Sequence, residues 1–231
     1  MVTKIREEVA GKNIVETLAY FAEKFPGKVV FTSSLGIEDQ VITDMIFSNN
    51  IPIRVVTLDT GRLFEESYKV LARTEEKYNK KVEVFFPESS EVEKMMNEKG
   101  PYSFYASIEN RKECCFVRKV KPLKRSLEGM EVWVTGIRAD QSDGRQNMHA
   151  VEDDKAFNLI KYNPIFDWNM EQVKEYIAEN YVPYNVLHDK GFISIGCSPC
   201  TRAVNEGDDF RAGRWWWENK SGKECGLHTQ G

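Results

Sequence analysis

Short β-branched strands that break into polar, glycine-bearing loops and then into apolar residues at helical spacing recur along this chain. That alternation limits the fold more than any other feature. Lys28 to Thr32 is one such strand; it gives way at Ser33-Ser34-Leu35-Gly36 to Ile37, Val41, Ile42, Met45 and Ile46, spaced as on one helix. The unit repeats with Ile53 to Leu58, the turn Asp59-Thr60-Gly61, and a helix marked by Phe64, Tyr68 and Leu71, and Val82 to Phe86 reads as a third strand. Val132 to Ile137 and Asn158 to Ile165 supply two more strands beyond a charged helical region from Glu91 to Leu127. Helices are also expected behind Asn13, with Glu16 as capping-box partner, and behind Asn169, with Gln172 in that role. The pattern predicts an α/β fold, a mostly parallel twisted sheet with helices on both faces, whose ligands bind at the carboxyl ends of the strands.

Several function classes fall away on composition. The 231 residues carry 32 Lys plus Arg against 36 Asp plus Glu, a net charge of −4, which is too acidic for bulk attraction to nucleic acid. No apolar run approaches the roughly 18 residues of a membrane helix, and the first residues have no signal-peptide core, so a soluble, cytoplasmic protein is expected. A homo-oligomer is compatible with the sequence. Neither a Walker A loop nor a GxGxxG dinucleotide fingerprint occurs.

The loops carry the chemistry. Ser33 to Gln40 lies where a strand becomes a helix, so its hydroxyls, its glycine and the first helical N–H groups form either an anion cradle or an ordinary N-cap. Leu58-Asp59-Thr60-Gly61-Arg62-Leu63 and Thr135-Gly136-Ile137-Arg138 each end a strand with a glycine and then offer an arginine, which suits an anionic ligand over the sheet edge.

The five cysteines are not scattered. Cys114 and Cys115 are adjacent, with 81 residues between them and the CxxC of Cys197 and Cys200, and Cys225 stands alone. Four thiolates can hold zinc or a 4Fe-4S cluster, and adjacency of two ligands tilts the reading toward the cluster, whose corners lie further apart. Arg111, Lys112, Arg118, Lys119, Lys121, Lys124 and Arg125 surround the first pair. From Gly207 the chain changes character, with five glycines in its last 25 residues, Arg211 and Arg214 three apart, Trp215-Trp216-Trp217, and Cys225 close to Lys223 and His228. This reads as a mobile tail that docks aromatic surface and presents a thiol nucleophile.

Together these motifs closely resemble the sulfonucleotide reductases of assimilatory sulfate reduction and cysteine biosynthesis, in order from Ser33 to His228. Carrying both cysteine pairs, the chain resembles the adenylyl-sulfate (APS) branch, which binds one 4Fe-4S cluster per chain, rather than the 3'-phosphorylated (PAPS) branch, which typically lacks them. The resemblance implies a fold similar to the adenine-nucleotide alpha-hydrolases. It implies that Cys114, Cys115, Cys197 and Cys200 ligate the cluster and that Ser33, Ser34, Leu35, Gly36, Glu38 and Asp39 form a modified phosphate loop. It further implies that Leu58, Thr60, Gly61 and Arg62 border the adenosine, that Gly136 and Arg138 belong to an arginine loop, and that Lys119 lies between cluster and substrate. Arg211 and Arg214 would close on the nucleotide, Cys225 would be the nucleophile, and His228 completes the family's ECG[LI]H tail. The expected organisation is a nucleotide- and cluster-binding unit over residues 1–206 and a catalytic tail over 207–231. With four cysteines on the cluster, only Cys225 remains, so thioredoxin or glutaredoxin must supply the reducing dithiol. The alternatives are a PAPS reductase of the same family and an ATP pyrophosphatase-type tRNA-modifying enzyme, which needs an SGGxDS-like loop where this chain has Leu35 and Glu38.

Overall fold

The computed structural model describes residues 1–141, 148–205, 207–209 and 211–218. Helices α1 (Val2–Val9) and α2 (Ile14–Lys24) lead into β1 (Val29–Ser33), α3 (Ile37–Ser48), β2 (Arg54–Leu58), α4 (Glu65–Tyr78) and β3 (Glu83–Phe85). Then come α5 (Ser89–Lys99), α6 (Ile108–Cys115), a π-helical turn (Phe116–Val120), α7 (Lys121–Leu127), β4 (Val132–Val134), β5 (Val151–Asp154), β6 (Leu159–Tyr162) and α8 (Met170–Glu179). The sheet order is β3-β2-β1-β4-β6-β5, parallel except where β5 runs antiparallel to β6. Because β2 lies on one side of β1 and β4 on the other, the strand order reverses between β1 and β4. In open α/β sheets that is where the ligand crevice opens.

Alternation along the strands builds two cores. Val29 and Phe31, with Val132 and Val134, face the layer of α2, α3 and α8, where Phe21, Ile42, Ile46 and Ile177 close the packing. Val30, Val56 and Trp133 face the other way, onto Leu123 and Leu127 of α7. Helices therefore cover both faces, as the near-continuous apolar strands require. Both expected capping boxes form, Asn13 with Glu16 and Asn169 with Gln172.

Helix α3 is buried from Ile37 to Phe47, so its polar residues need internal partners. Gln40 donates to Thr74 Oγ1 at 2.7 Å and to the Pro183 carbonyl at 2.8 Å. Asp44 accepts from the hydroxyls of Tyr78 and Tyr176, each at 2.7 Å, pinning α4 and α8 to the same helix.

Three features depart from the sequence expectation. The helical stretch after Glu91 is divided, because Gly100 at φ 80° ends α5 and Pro101 follows it. Strand β5 was not expected, being acidic: Glu152 and Asp154 lie 3.9 and 3.5 Å from the ammonium of buried Lys161 on β6, which also lies over the Trp133 ring. Helix α1, likewise unexpected, buries Val2 and Ile5. No helix among the described residues is long and apolar enough to cross a membrane.

Candidate active site

A cavity of about 240 Å³ opens at the β1/β4 crevice. Its floor is the loop into α3. Leu35 adopts φ 61°, the left-handed region that turns the strand sharply into the helix, and Gly36 is an N-cap without a side-chain cap. The first-turn amides of α3 are therefore left to a ligand or solvent. Ser34 donates from both its N–H and its hydroxyl to Asp39 Oδ2, each at 2.6 Å, and the Leu35 N–H donates to Ser33 Oγ at 3.1 Å. Asp39 is only 7% exposed. Burial raises its carboxyl from 3.8 to about 6, against the pull of the two Ser34 donors and with the charge of Glu38 adding to the rise. Gly136, in the loop after β4, has to be glycine because a Cβ there would overlap the Asp39 carboxylate.

Glu38 also lines the cavity and is held from behind. Its Oε1 accepts from Arg138 Nη2 at 3.1 Å, Arg138 Nε at 3.3 Å and Gln141 Nε2 at 3.0 Å. Arg138 is 2% exposed, also bonds Asp140 and the Trp168 carbonyl, and is not among the lining residues. Leu58, Leu123 and Trp133 form an apolar wall, while Lys119, Arg211 and Arg214 bring positive charge to the rim.

The second cavity, about 20 Å³, is lined by Cys114, Cys115, Cys197 and Cys200 together with Arg62, Phe104, Arg111, Arg118 and Lys119. Cys114 and Cys115 end α6 and run into the π-helical turn that carries Arg118 and Lys119, a distortion common at functional sites. The β2 loop forms one wall. Thr60 Oγ1 is 3.3 Å from Cys197 Sγ, Arg118 Nη1 donates to the Thr60 carbonyl at 2.6 Å, and the Ser198 N–H donates to the Arg62 carbonyl at 2.8 Å. Gly61 lies against the Arg118 guanidinium. Burial pushes the Cys200 thiol up to about 12, with Cys197 adding and Arg214 and Lys119 opposing. Burial raises Cys114 as well, against Arg118. Lys119 lines both cavities.

The structure thus gathers Ser33, Ser34, Gly36, Glu38, Asp39, Leu58, Gly136, Lys119, Arg211 and Arg214 at the larger cavity, while Leu35 is buried beneath the loop. Arg62 lines the cysteine pocket instead, where Thr60 and Gly61 also make their contacts. Cys225 and His228 lie outside the described residues. Sequence reasoning missed His188 and the stretch Ile193-Ser194-Ile195-Gly196, which also line the larger cavity. The signal was present in a small, apolar, glycine-ended run placed directly before the CxxC.

The phosphoadenosine phosphosulfate reductase domain model matches residues 28–203, which takes in the loop after β1, both cysteine pairs and the loop after β4. The chain belongs to that family. Among the sulfonucleotide reductases, the adenosine 5'-phosphosulfate reductase of Agrobacterium fabrum is 47% identical over 96% of this chain and 85% of its own length. That of Allochromatium vinosum is 48% identical over 87% of this chain and 79% of its own. The crystal structure of a phosphoadenylyl-sulfate reductase from Candida auris in a phosphate complex superposes with TM-score 0.75 at 27% identity, covering 88% of this chain and 96% of that one. Candida glabrata FMN adenylyltransferase shares the fold alone, at TM-score 0.55 and 14% identity.

Proposed function

We propose that this family member reduces adenosine 5'-phosphosulfate to sulfite and AMP in assimilatory sulfate reduction. The observation that carries the reading is that Lys119 lines both the crevice cavity and the cysteine pocket, which puts a cation where a nucleotide's anionic end meets the thiols. That the Agrobacterium and Allochromatium relatives are adenosine 5'-phosphosulfate reductases supports the substrate.

In this reading the Ser33–Asp39 loop takes the phosphate and the wall of Leu58, Leu123 and Trp133 takes the adenine. The substrate is a mixed phosphoric-sulfuric anhydride. The Cys225 thiolate attacks its sulfur, forming an S–S bond and breaking the S–O bond to phosphate, so AMP departs and an S-sulfocysteine remains. Lys119, Arg211 and Arg214 stabilise the charge that moves onto the departing phosphate. A thiolate of thioredoxin or glutaredoxin then attacks Cys225 Sγ and expels sulfite, and its second thiol resolves the mixed disulfide, so that one dithiol supplies both electrons. Residues 207–231 act as the catalytic tail.

The cysteine pocket fits a 4Fe-4S cluster. Four thiols line one cavity bordered by Arg62, Arg111, Arg118 and Lys119, cations that offset thiolate charge. The adjacency of Cys114 and Cys115 suits a polynuclear group, whose ligand positions lie further apart than those of a single small ion. Cys114, Cys115, Cys197 and Cys200 would hold it, and when bound it supplies a fixed charge distribution next to Lys119 and ties α6 to the CxxC segment.

The test is an anaerobic sulfite assay with thioredoxin, run with APS and with PAPS. Sulfite from APS, with PAPS turned over far more slowly, is the expected result. Sulfite from PAPS alone would move the chain to the other branch, and pyrophosphate release from ATP in place of sulfite would overturn the reading.

A further inference from the structure

Two guanidinium groups lie over the Trp215 ring. Arg111 is 4.6 Å from the ring centroid and Arg214 4.8 Å, while the indole itself is 3% exposed and packs beside Cys114 and Cys200. The two arginines are not equivalent. Arg111, on α6 one turn before the cysteine pair, is 1% exposed and forms a double hydrogen bond with Glu218 at 2.8 and 2.9 Å, so its charge is matched. Arg214 rests on the ring and reaches the Ser194 hydroxyl at 3.4 Å, pairs with no carboxylate among the described residues, and lines the larger cavity.

The backbone around the indole is fixed from several sides. The Trp215 N–H donates to the Cys200 carbonyl at 3.2 Å, the Arg202 N–H to the Gly213 carbonyl at 3.0 Å, and Thr201 bridges Arg214. The Arg214 guanidinium lies in the space a Cβ at Gly196 would fill, so a side chain there would displace it. Trp215 itself holds φ 43°, a left-handed conformation that costs a bulky residue energy and persists only where its surroundings over-determine it. Among the described residues, the indole N–H and Arg214 Nε are both buried without a hydrogen-bond partner, so what holds the two groups together is the contact of guanidinium and ring.

We propose that Trp215 is a positioning residue. Anchored by Arg111 to the helix that carries Cys114 and Cys115, it sets the Arg214 guanidinium at the cavity as a cation for the substrate's anionic oxygens. The cysteine helix, the CxxC segment and the tail arginine are thereby one mechanical unit. This rests on the reading of the cavity as the nucleotide site.

The experiment uses the full chain, purified anaerobically, in three forms beside wild type: Trp215→Phe, which keeps a π face; Trp215→Leu, which keeps apolar bulk only; and Arg111→Met with Glu218→Gln, which removes the anchor without leaving a buried charge unpaired. Each is measured for equilibrium AMP binding, for KM and kcat with APS, and for the rate of trypsin cleavage after Arg214. Trp215→Leu and the double variant should each weaken AMP binding and raise KM by roughly tenfold, about the worth of one desolvated cation–π contact, with a smaller change in kcat. Cleavage after Arg214 should speed up in both, and Trp215→Phe should stay within about threefold of wild type, since Phe keeps most of the ring interaction. Wild-type cleavage in Trp215→Leu and the double variant would overturn the clamp. So would tight AMP binding in both, or equal losses in Phe and Leu. Faster cleavage in a protein whose wild type binds no AMP would leave the clamp standing and remove the nucleotide reading instead.

Discussion

Replacing Asp39 by Asn should make the protein more stable at neutral pH, and the gain should shrink in acid. The carboxyl is buried and raised from 3.8 to about 6. At about 1.4 kcal/mol per unit, that rise means the folded state bears about 3 kcal/mol for holding the ionised form once the pH exceeds 6. The penalty is absent below the unfolded value, where the group is neutral in both states. It grows as the pH rises through the interval and is roughly half present at pH 5. Asn keeps an oxygen for the two Ser34 donors, and since their stronger bonds to the ionised carboxylate are already contained in the net rise, nothing further is subtracted. The variant should therefore be more stable by about 3 kcal/mol at pH 7.5 and by about 1.5 kcal/mol at pH 5. Parallel anaerobic urea titrations of wild type and variant at the two pH values, with equal m-values, measure this difference. A stability difference that is the same at both pH values, or larger at pH 5, would refute the reasoning. The penalty is retained in the native chain because ionised Asp39 fixes Ser34 and so shapes the loop.

Three further outcomes follow from the same geometry. Gly136→Ala should push the Asp39 carboxylate off Ser34 and weaken AMP binding by roughly tenfold or more in a titration, because the Cβ has no room. Arg138→Lys should lose the two-atom grip on Glu38 and raise KM for APS several-fold at nearly unchanged iron content, since an ammonium cannot reproduce the guanidinium fork. Iron and acid-labile sulfide analysis of anaerobic protein should give about four of each per chain, and Cys197→Ser should lose both, whereas one zinc and no iron would contradict the cluster assignment.

What could be read from the sequence is what depends on neighbours in the chain. The capping boxes at Asn13 and Asn169 were legible because donor and acceptor are three residues apart, and β1, β2 and β4 were legible because their apolar runs are long enough to fill two cores. Strand β5 was not, since Glu152 and Asp154 become favourable only against buried Lys161. The cysteine pairs were recognisable by spacing, and the structure places them around one cavity. The partners of the arginines were not recognisable. Arg138 reads as a ligand for an anion, and in the structure its guanidinium also bonds Asp140, two residues on, and Glu38, one hundred residues earlier. Arg111 reads as part of a charged helix, and its meaning appears only when Trp215 and Glu218 fold against it. Residue type announces a charge, but burial and pairing decide what the charge acts on.

The central claim is that a cysteine thiolate displaces AMP from the anhydride before any reduction occurs. Anaerobic protein incubated with APS and no dithiol should release about one AMP per active chain and gain about 80 Da, one sulfite equivalent, on the tail peptide that contains Cys225, as a covalent intermediate requires. Cys225→Ser should keep its iron and bind AMP, yet show neither burst nor adduct. An adduct on another residue, AMP release only when a dithiol is present, or sulfite formation by the Cys225→Ser protein would contradict the account.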